Sequence, residues 1–296
     1  MAQRNSSKPH RPARPHGPSH GSPQGRPPAK PHPATQKDAG DARAHREGRA
    51  HRGRPQARPW LWGRHAVLAA LANDRRQIRR FLLVRGEEAS LPADLPIRPE
   101  IVEREVITRS LPDGAVHQGY ALLADALPDT GLADILARAE GHERAVVLAL
   151  DQVTDPQNVG AILRSAAAFG ALGVVMTEAH APPSDGALAK AASGALERVP
   201  LARVPNLVGA FETLKAERFW IAGLEAEAPK TLAEAALSGR IVLVLGAEGA
   251  GLRRLTRERC DWLVRIPLSG AVESLNVSAA AACALYELAR LGRPER

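Results

Sequence analysis

Aromatic residues are scarce in this chain: Phe, Trp and Tyr supply 3% of 296 residues, although hydrophobic residues as a whole supply 44%. A core must therefore rest on Ala, Leu and Val, which suits helices packed on a buried parallel sheet. Cysteine is scarcer still. Cys260 and Cys283 fall in different expected elements without ligand spacing, which argues against a disulfide framework or a zinc site and for a reducing compartment. No apolar run reaches the roughly 18 residues of a membrane span, and the N-terminus lacks the apolar stretch of a secretory signal. The protein is expected to be soluble and cytoplasmic, without membrane or metal.

The first 59 residues lack Val, Ile, Leu, Phe, Trp and Tyr altogether and hold 11 of the 24 prolines. Such a segment cannot bury enough apolar surface to offset its conformational entropy, so disorder is expected over 1–59. It carries 13 Lys and Arg against 3 Asp and Glu, a net +10, which leaves −2 for residues 60–296 out of the total of +8. Affinity for nucleic acid inferred from the basic charge thus belongs to the tail, either as an RNA tether or as no more than a solubilising arm.

Beyond the tail, the chain is long enough for about two domains. The stretch Gly63 to Asn73 has helical apolar spacing, Phe81 to Val84 reads as a strand, Ile101 to Leu111 as a helix and Tyr120 to Ala124 as a strand. Together they form a small α/β unit over 60–124. Residues 125–143 read as a linker with one short helix, opened by Pro128, Asp129 and Gly131.

From residue 144 to the end, apolar strands alternate with helices. Strands are expected at 146–150, 173–176, 199–204, 220–224, 241–245 and 263–266, and helices at 159–169, 185–195, 207–217, 252–260 and 277–291. That order implies a mostly parallel sheet with helices on both faces, whose ligands bind at the carboxyl ends of the strands.

Three loops fall at such ends. The first runs from Asp151 through Asn158 and Gly160 into a helix bearing Arg164, where Asn158 or Asp155 is placed to cap. Arg164 is expected one turn inside that helix, on the side of Asn158, where a guanidinium can hold a phosphate or polarise a hydroxyl. The second reads Gly246-Ala247-Glu248-Gly249-Ala250-Gly251. Its spacing is not that of a dinucleotide fingerprint, and no Lys-Ser/Thr pair follows to make a phosphate loop. Its glycines permit either close approach of a ligand or merely a tight turn. The third runs from Ile266 and Pro267 through Gly270 to Ser274-Leu275-Asn276-Val277-Ser278. Ser274 or Asn276 can cap the Ala-rich helix beyond.

Taken in order, N-x-G-x-x-x-R, G-A-E-G-x-G and I-P-x-x-G-x-x-x-S-L-N-V-S strongly resemble the three motifs of the SpoU family of RNA 2′-O-methyltransferases. The resemblance covers about residues 145–292. Upstream, Gly63-Arg64-His65-Ala66-Val67 and His117-Gln118-Gly119-Tyr120 resemble the substrate-binding domain of members that act on large-subunit ribosomal RNA. Leu255-Thr256-Arg257-Glu258 points the same way, towards members that methylate a guanosine of 23S rRNA.

The resemblance implies a deep trefoil knot at the C-terminus, S-adenosylmethionine as methyl donor, a homodimer, and ribosomal RNA as partner. It implies an active site of Asn158, Arg164, Glu248, Ser274 and Asn276, with the donor against backbone at Gly246, Ile266 and Leu275. Arg164 is better suited to be an electrostatic clamp than a general base, because a guanidinium hardly ever deprotonates. A non-catalytic RNA-binding protein on the same fold, and the same chemistry on tRNA, are the alternatives. A nucleotide-dependent oxidoreductase is disfavoured by the missing fingerprint.

Overall fold

The structure, a computed structural model, describes residues 58–291. All but the last two residues of the expected tail therefore lie outside the described residues. The chain first forms β1 (Trp60–Trp62), α1 (Arg64–Leu71), β2 (Ile78–Val84), β3 (Glu100–Val102), α2 (Arg104–Ser110) and β4 (Tyr120–Ala124). These make a four-stranded sheet in the order β1-β4-β2-β3, with Leu61 and Phe81 both paired to Leu122 and only β2–β3 parallel.

α3 (Leu132–Ala139) follows, then β5 (Ala145–Leu150), α4 (Pro156–Phe169), β6 (Gly173–Thr177), α5 (Gly186–Ala192), β7 (Leu201–Val204) and α6 (Leu207–Ala216). The chain finishes with β8 (Phe219–Leu224), β9 (Lys230–Thr231), β10 (Arg240–Leu245), α7 (Arg254–Glu258), β11 (Trp262–Arg265) and α8 (Val277–Leu291). The second sheet has seven strands in the order β7-β6-β5-β10-β8-β11-β9, every pair parallel.

The central strands, AVVLAL in β5 and RIVLVL in β10, are buried almost end to end, as both faces of a parallel sheet require. One face packs Leu148, Leu150, Leu243 and Leu245 under α4, α5 and α8, in a cluster continuous with Leu61, Phe81 and Leu122 of the small sheet. The other packs Val147, Val242 and Val244 against Ile135 of α3 and Phe211 of α6. From β5 the chain winds outward to β6 and β7, then returns to the far side of β10. The strand order therefore reverses beside the β5–β10 pair, opening a crevice at its carboxyl end.

The local code explains most boundaries. α4 starts at Pro156 because proline suits the first helical turn and the Asp155 carboxylate accepts from Gln157 N at 3.0 Å. It stops at Gly170, whose φ of 75° is left-handed. Several expectations are corrected. Ile101 and Val102 do not open a helix; they are strand, paired with Leu83 and Val84, and the helix begins only at Arg104. A three-residue strand has no periodicity of its own and exists through the ladder it joins, which is also why β1 and the two-residue β9 went unforeseen. The expected helix 252–260 shrinks to Arg254–Glu258, since Leu252 is buried and Arg253 N is engaged elsewhere.

α4 and α5 meet at Gly160, where an added Cβ would lie 2.7 Å from backbone atoms of both Ala191 and Ala192. Gly160→Val is expected to destabilise the fold by about 1–3 kcal/mol or more, since backbone cannot yield as a side chain does. An unchanged urea midpoint would show that the two helices part freely.

Candidate active site

The crevice between β5 and β10 is floored by a residue to which sequence reasoning gave no role. Asp151, directly after β5, is fully buried and accepts from Arg253 N at 3.0 Å and Arg253 Nε at 2.6 Å. Its own N–H donates to Leu245 O at 2.8 Å. One carboxylate thus ties the exit of β5 to the end of the glycine loop. The signal was present, an ionisable residue closing an all-apolar strand, but its partner stands 102 residues away.

The glycine loop closes on itself as a small hairpin. Ala247 and Gly251 form an antiparallel bridge, with Gly251 N donating to Ala247 O at 2.9 Å. Gly249 and Gly251 take φ of 76° and 65°, open to glycine at no steric cost. Gly246 is needed for closeness rather than for φ: a Cβ there would overlap the Gly251 carbonyl and lie 2.6 Å from Leu252 N. The hairpin holds Glu248 outward at its tip.

Three of the expected residues converge on that tip. Glu248 Oε1 accepts from Asn158 Nδ2 at 3.0 Å and from Asn276 Nδ2 at 2.5 Å, and Asn276 Nδ2 also donates to Asn158 Oδ1 at 3.0 Å. The triangle joins positions 90 and 118 residues apart and so locks all three loops together. Asn276 serves twice. Its Oδ1 accepts from Ser278 N at 2.9 Å and Ser278 Oγ at 2.6 Å, so it, not Ser274, caps α8.

Arg164 and Ser274 stand apart from this triangle. Both are exposed, and neither makes a side-chain hydrogen bond or ion pair among the described residues. The expectation that Arg164 shares a side of its helix with Asn158 is corrected: six residues make about 1.7 turns, so the two point in different directions. Asn158 does not cap that helix either, because Asp155 holds the position.

Gly246 follows β10 directly and Ile266 follows β11, so both sit at carboxyl ends, while Leu275 precedes the cap of α8. Ile266 and Leu275 are half-buried, and their backbone N–H and C=O groups make no hydrogen bond among the described residues. Half-buried apolar side chains beside unused backbone donors and acceptors fit a ligand that is part apolar and part hydrogen-bonding, as an adenosyl group is.

Burial pushes the Cys260 thiol up to about 12, which leaves it inert as a nucleophile. Among the described residues no group of three or more His, Cys, Asp or Glu is set to hold a metal, and no helix is long and apolar enough to cross a membrane.

The triangle predicts its own test. Asn276→Ser keeps a capping hydroxyl but loses both bonds to the other loops, so α8 should remain while the activity that these loops frame falls by at least roughly tenfold. An unimpaired Asn276→Ser enzyme in a single-turnover assay would detach the triangle from function.

Comparison with known proteins places the chain in a family. Residues 145–286 match the SpoU rRNA Methylase family, and residues 60–130 match the family described as RNA 2'-O ribose methyltransferase substrate binding. The chain is 39% identical over 241 residues to the 23S rRNA (guanosine-2'-O-)-methyltransferase RlmB of Salmonella typhimurium, covering 78% of this chain and 97% of that protein. The same figures hold for the RlmB of Escherichia coli strain K12. Among solved structures it is similar to the SpoU methyltransferase AviRb from Streptomyces viridochromogenes in complex with the cofactor AdoMet, with a TM-score of 0.64 and 25% identity, covering 78% of this chain and 89% of that one. With identity at this level across nearly the whole length of those relatives, the chain belongs to the SpoU rRNA methylase family.

Proposed function

We propose that this protein transfers the methyl group of S-adenosylmethionine to the ribose 2′-hydroxyl of a guanosine in 23S ribosomal RNA, in the cytoplasm. The observation that carries the reading is the hydrogen-bonded triangle of Asn158, Glu248 and Asn276, which gathers three loops at the strand-order reversal of a parallel sheet. S-adenosylmethionine, when bound, supplies an electrophilic methyl group on a sulfonium.

The residues' task is mainly positioning. Methyl transfer needs the 2′-oxygen in line behind that group, so most of the rate gain comes from holding the ribose in place. Asn158, Glu248 and Asn276 brace the loops that frame the reacting centre. Backbone at Gly246, Ile266 and Leu275 holds the donor. Arg164, without a protein partner among the described residues, grips an RNA phosphate and stabilises negative charge growing on the ribose oxygen. Ser274, exposed beside Leu275, completes the set by contacting the substrate.

The reading includes a deep trefoil knot and a homodimer. The knot is supported by α8, which follows β11 near one sheet edge yet packs on α4, the helix after central β5. Ala279 to Ala282 leave the room that threaded chain demands. The homodimer is supported by exposed Tyr286 on α8 and Val272 and Leu268 before it, 58%, 56% and 37% accessible. Residues 60–124 serve as the RNA-binding domain, 125–143 as the connection, 144–296 as the methyltransferase domain, and the basic 1–59 segment as an RNA tether.

The direct test combines the purified protein, S-adenosylmethionine and transcribed 23S rRNA, followed by mapping of ribose methylation. One methylated guanosine is expected, together with calorimetric binding of the donor. RNA binding without donor binding would instead make the protein a non-catalytic binder.

A further inference from the structure

The motifs around Gly63 and Gln118 have no part in the site described above. Both turn out to face the large sheet's own helices. A Cβ on Gly63, whose φ is 89°, would lie 2.5 Å from Lys190 Nζ on α5 and 2.7 Å from its Cδ. Gln118 holds a φ of 54°, unusual for a residue with a side chain, and its Oε1 accepts from Lys190 Nζ at 2.6 Å and Arg64 N at 3.3 Å. Two segments over fifty residues apart thus present one oxygen and one gap to a single lysine. Burial in that gap pulls the Lys190 ammonium below its ordinary value.

A second contact between the 60–124 unit and the segment after α5 is an ion pair shielded from water. The side chains of Arg76, between α1 and β2, and Glu197, after α5, are 0% and 4% accessible. Arg76 Nη2 meets Glu197 Oε1 at 2.7 Å, and Arg76 Nε reaches both carboxylate oxygens at 3.1 Å. The remaining groups are matched too: Arg76 Nη1 donates to Asp125 O at 3.0 Å and Asn73 Nδ2 to Glu197 Oε2 at 2.6 Å. Glycines allow the surfaces to touch. A Cβ on Gly186 would overlap the Trp62 ring, and one on Gly194 would lie 2.7 Å from the Ala69 Cβ.

A buried ion pair is a poor source of stability, because desolvating two charges offsets much of their attraction. Its use is in register: an apolar contact tolerates sliding, whereas a planar fork against a carboxylate accepts one arrangement. We propose that Arg76, Glu197, Lys190 and Gln118 are positioning residues that lock the 60–124 unit onto α5 in one orientation, so that RNA held by that unit arrives in line with the methyl-transfer site. This rests on the proposed function. It assigns the Gly63 and Gln118 turns to docking within the chain and not to contact with RNA.

The test uses the full-length protein and transcribed 23S rRNA, with Glu197→Gln, which keeps shape but loses charge, and Lys190→Met, which leaves the buried pair intact. In both variants the Kd for the transcript and for S-adenosylmethionine should stay within about twofold of wild type, while the single-turnover rate falls about tenfold or more, since a misplacement of about 1 Å can cost about 100-fold. Amide hydrogen exchange should quicken in α1 and α5 and not in β5 or β10. If Glu197→Gln does not fold, Lys190→Met decides alone. Variants with wild-type rates, or with rates reduced only in proportion to RNA affinity, overturn the lock while leaving the proposed function standing. A wild type that does not methylate the transcript overturns both.

Discussion

Replacing Arg164 with lysine or with alanine should each lower single-turnover methyl transfer by roughly 100-fold or more, the cost commonly paid when a preorganised electrostatic contact is lost. S-adenosylmethionine affinity should change by no more than about twofold, because Arg164 lies outside the backbone positions assigned to the donor. The lysine variant is the informative one. It keeps the charge but loses the planar fork, so a clamp that needs two parallel hydrogen bonds to a phosphate fails almost as badly as with alanine. A residue acting as general base behaves otherwise, since lysine deprotonates more readily than arginine and would take over part of the work. Folding should be unaffected, because the side chain is exposed on α4 with no protein partner among the described residues. Rates measured across pH for both variants decide: a nearly active Arg164→Lys enzyme with a displaced pH profile would sink the clamp and make the side chain a proton acceptor.

Gly246→Val should abolish measurable S-adenosylmethionine binding. The reason is specific to the hairpin after β10. A Cβ at 246 meets the Gly251 carbonyl and Leu252 N, all backbone, so the Ala247–Gly251 bridge cannot close around it. Opening the bridge moves Glu248 away from Asn158 and Asn276, unties three loops at once, and displaces the backbone proposed to hold the donor. Gly249→Ala is the control. Its Cβ would meet nothing within 4 Å, so only the left-handed φ of 76° is strained, and donor affinity should fall modestly. Calorimetric titration of both variants checks the pair. If Gly246→Val binds the donor like wild type, the loop is not part of the donor site.

Much of the fold was legible because periodicity is a local property. The apolar runs of β5 and β10 announced a sheet covered on both faces, and the expected helix at 159–169 ends where α4 does, although α4 begins three residues earlier at Pro156. Elements that owe their existence to a neighbour were misread. Glu100–Val102 looks helical when read with Arg104 to Ser110, and only the ladder to β2 makes it strand. The candidate site divides in the same way. Motif order singled out Asn158, Glu248 and Asn276, yet nothing local told that they share hydrogen bonds while Arg164 and Ser274 stand outside them.

The sequence by itself determined the class of sheet, the composition of its core and the family, since these depend on residue types and their spacing along the chain. The tertiary structure decided which groups meet. Asp151 found Arg253, Arg76 found Glu197 and Gln118 found Lys190 across 102, 121 and 72 residues. Pairings at that range are set by loop closure and strand order, which bring distant carboxylates and cations into one place where no pattern within a single segment can record them.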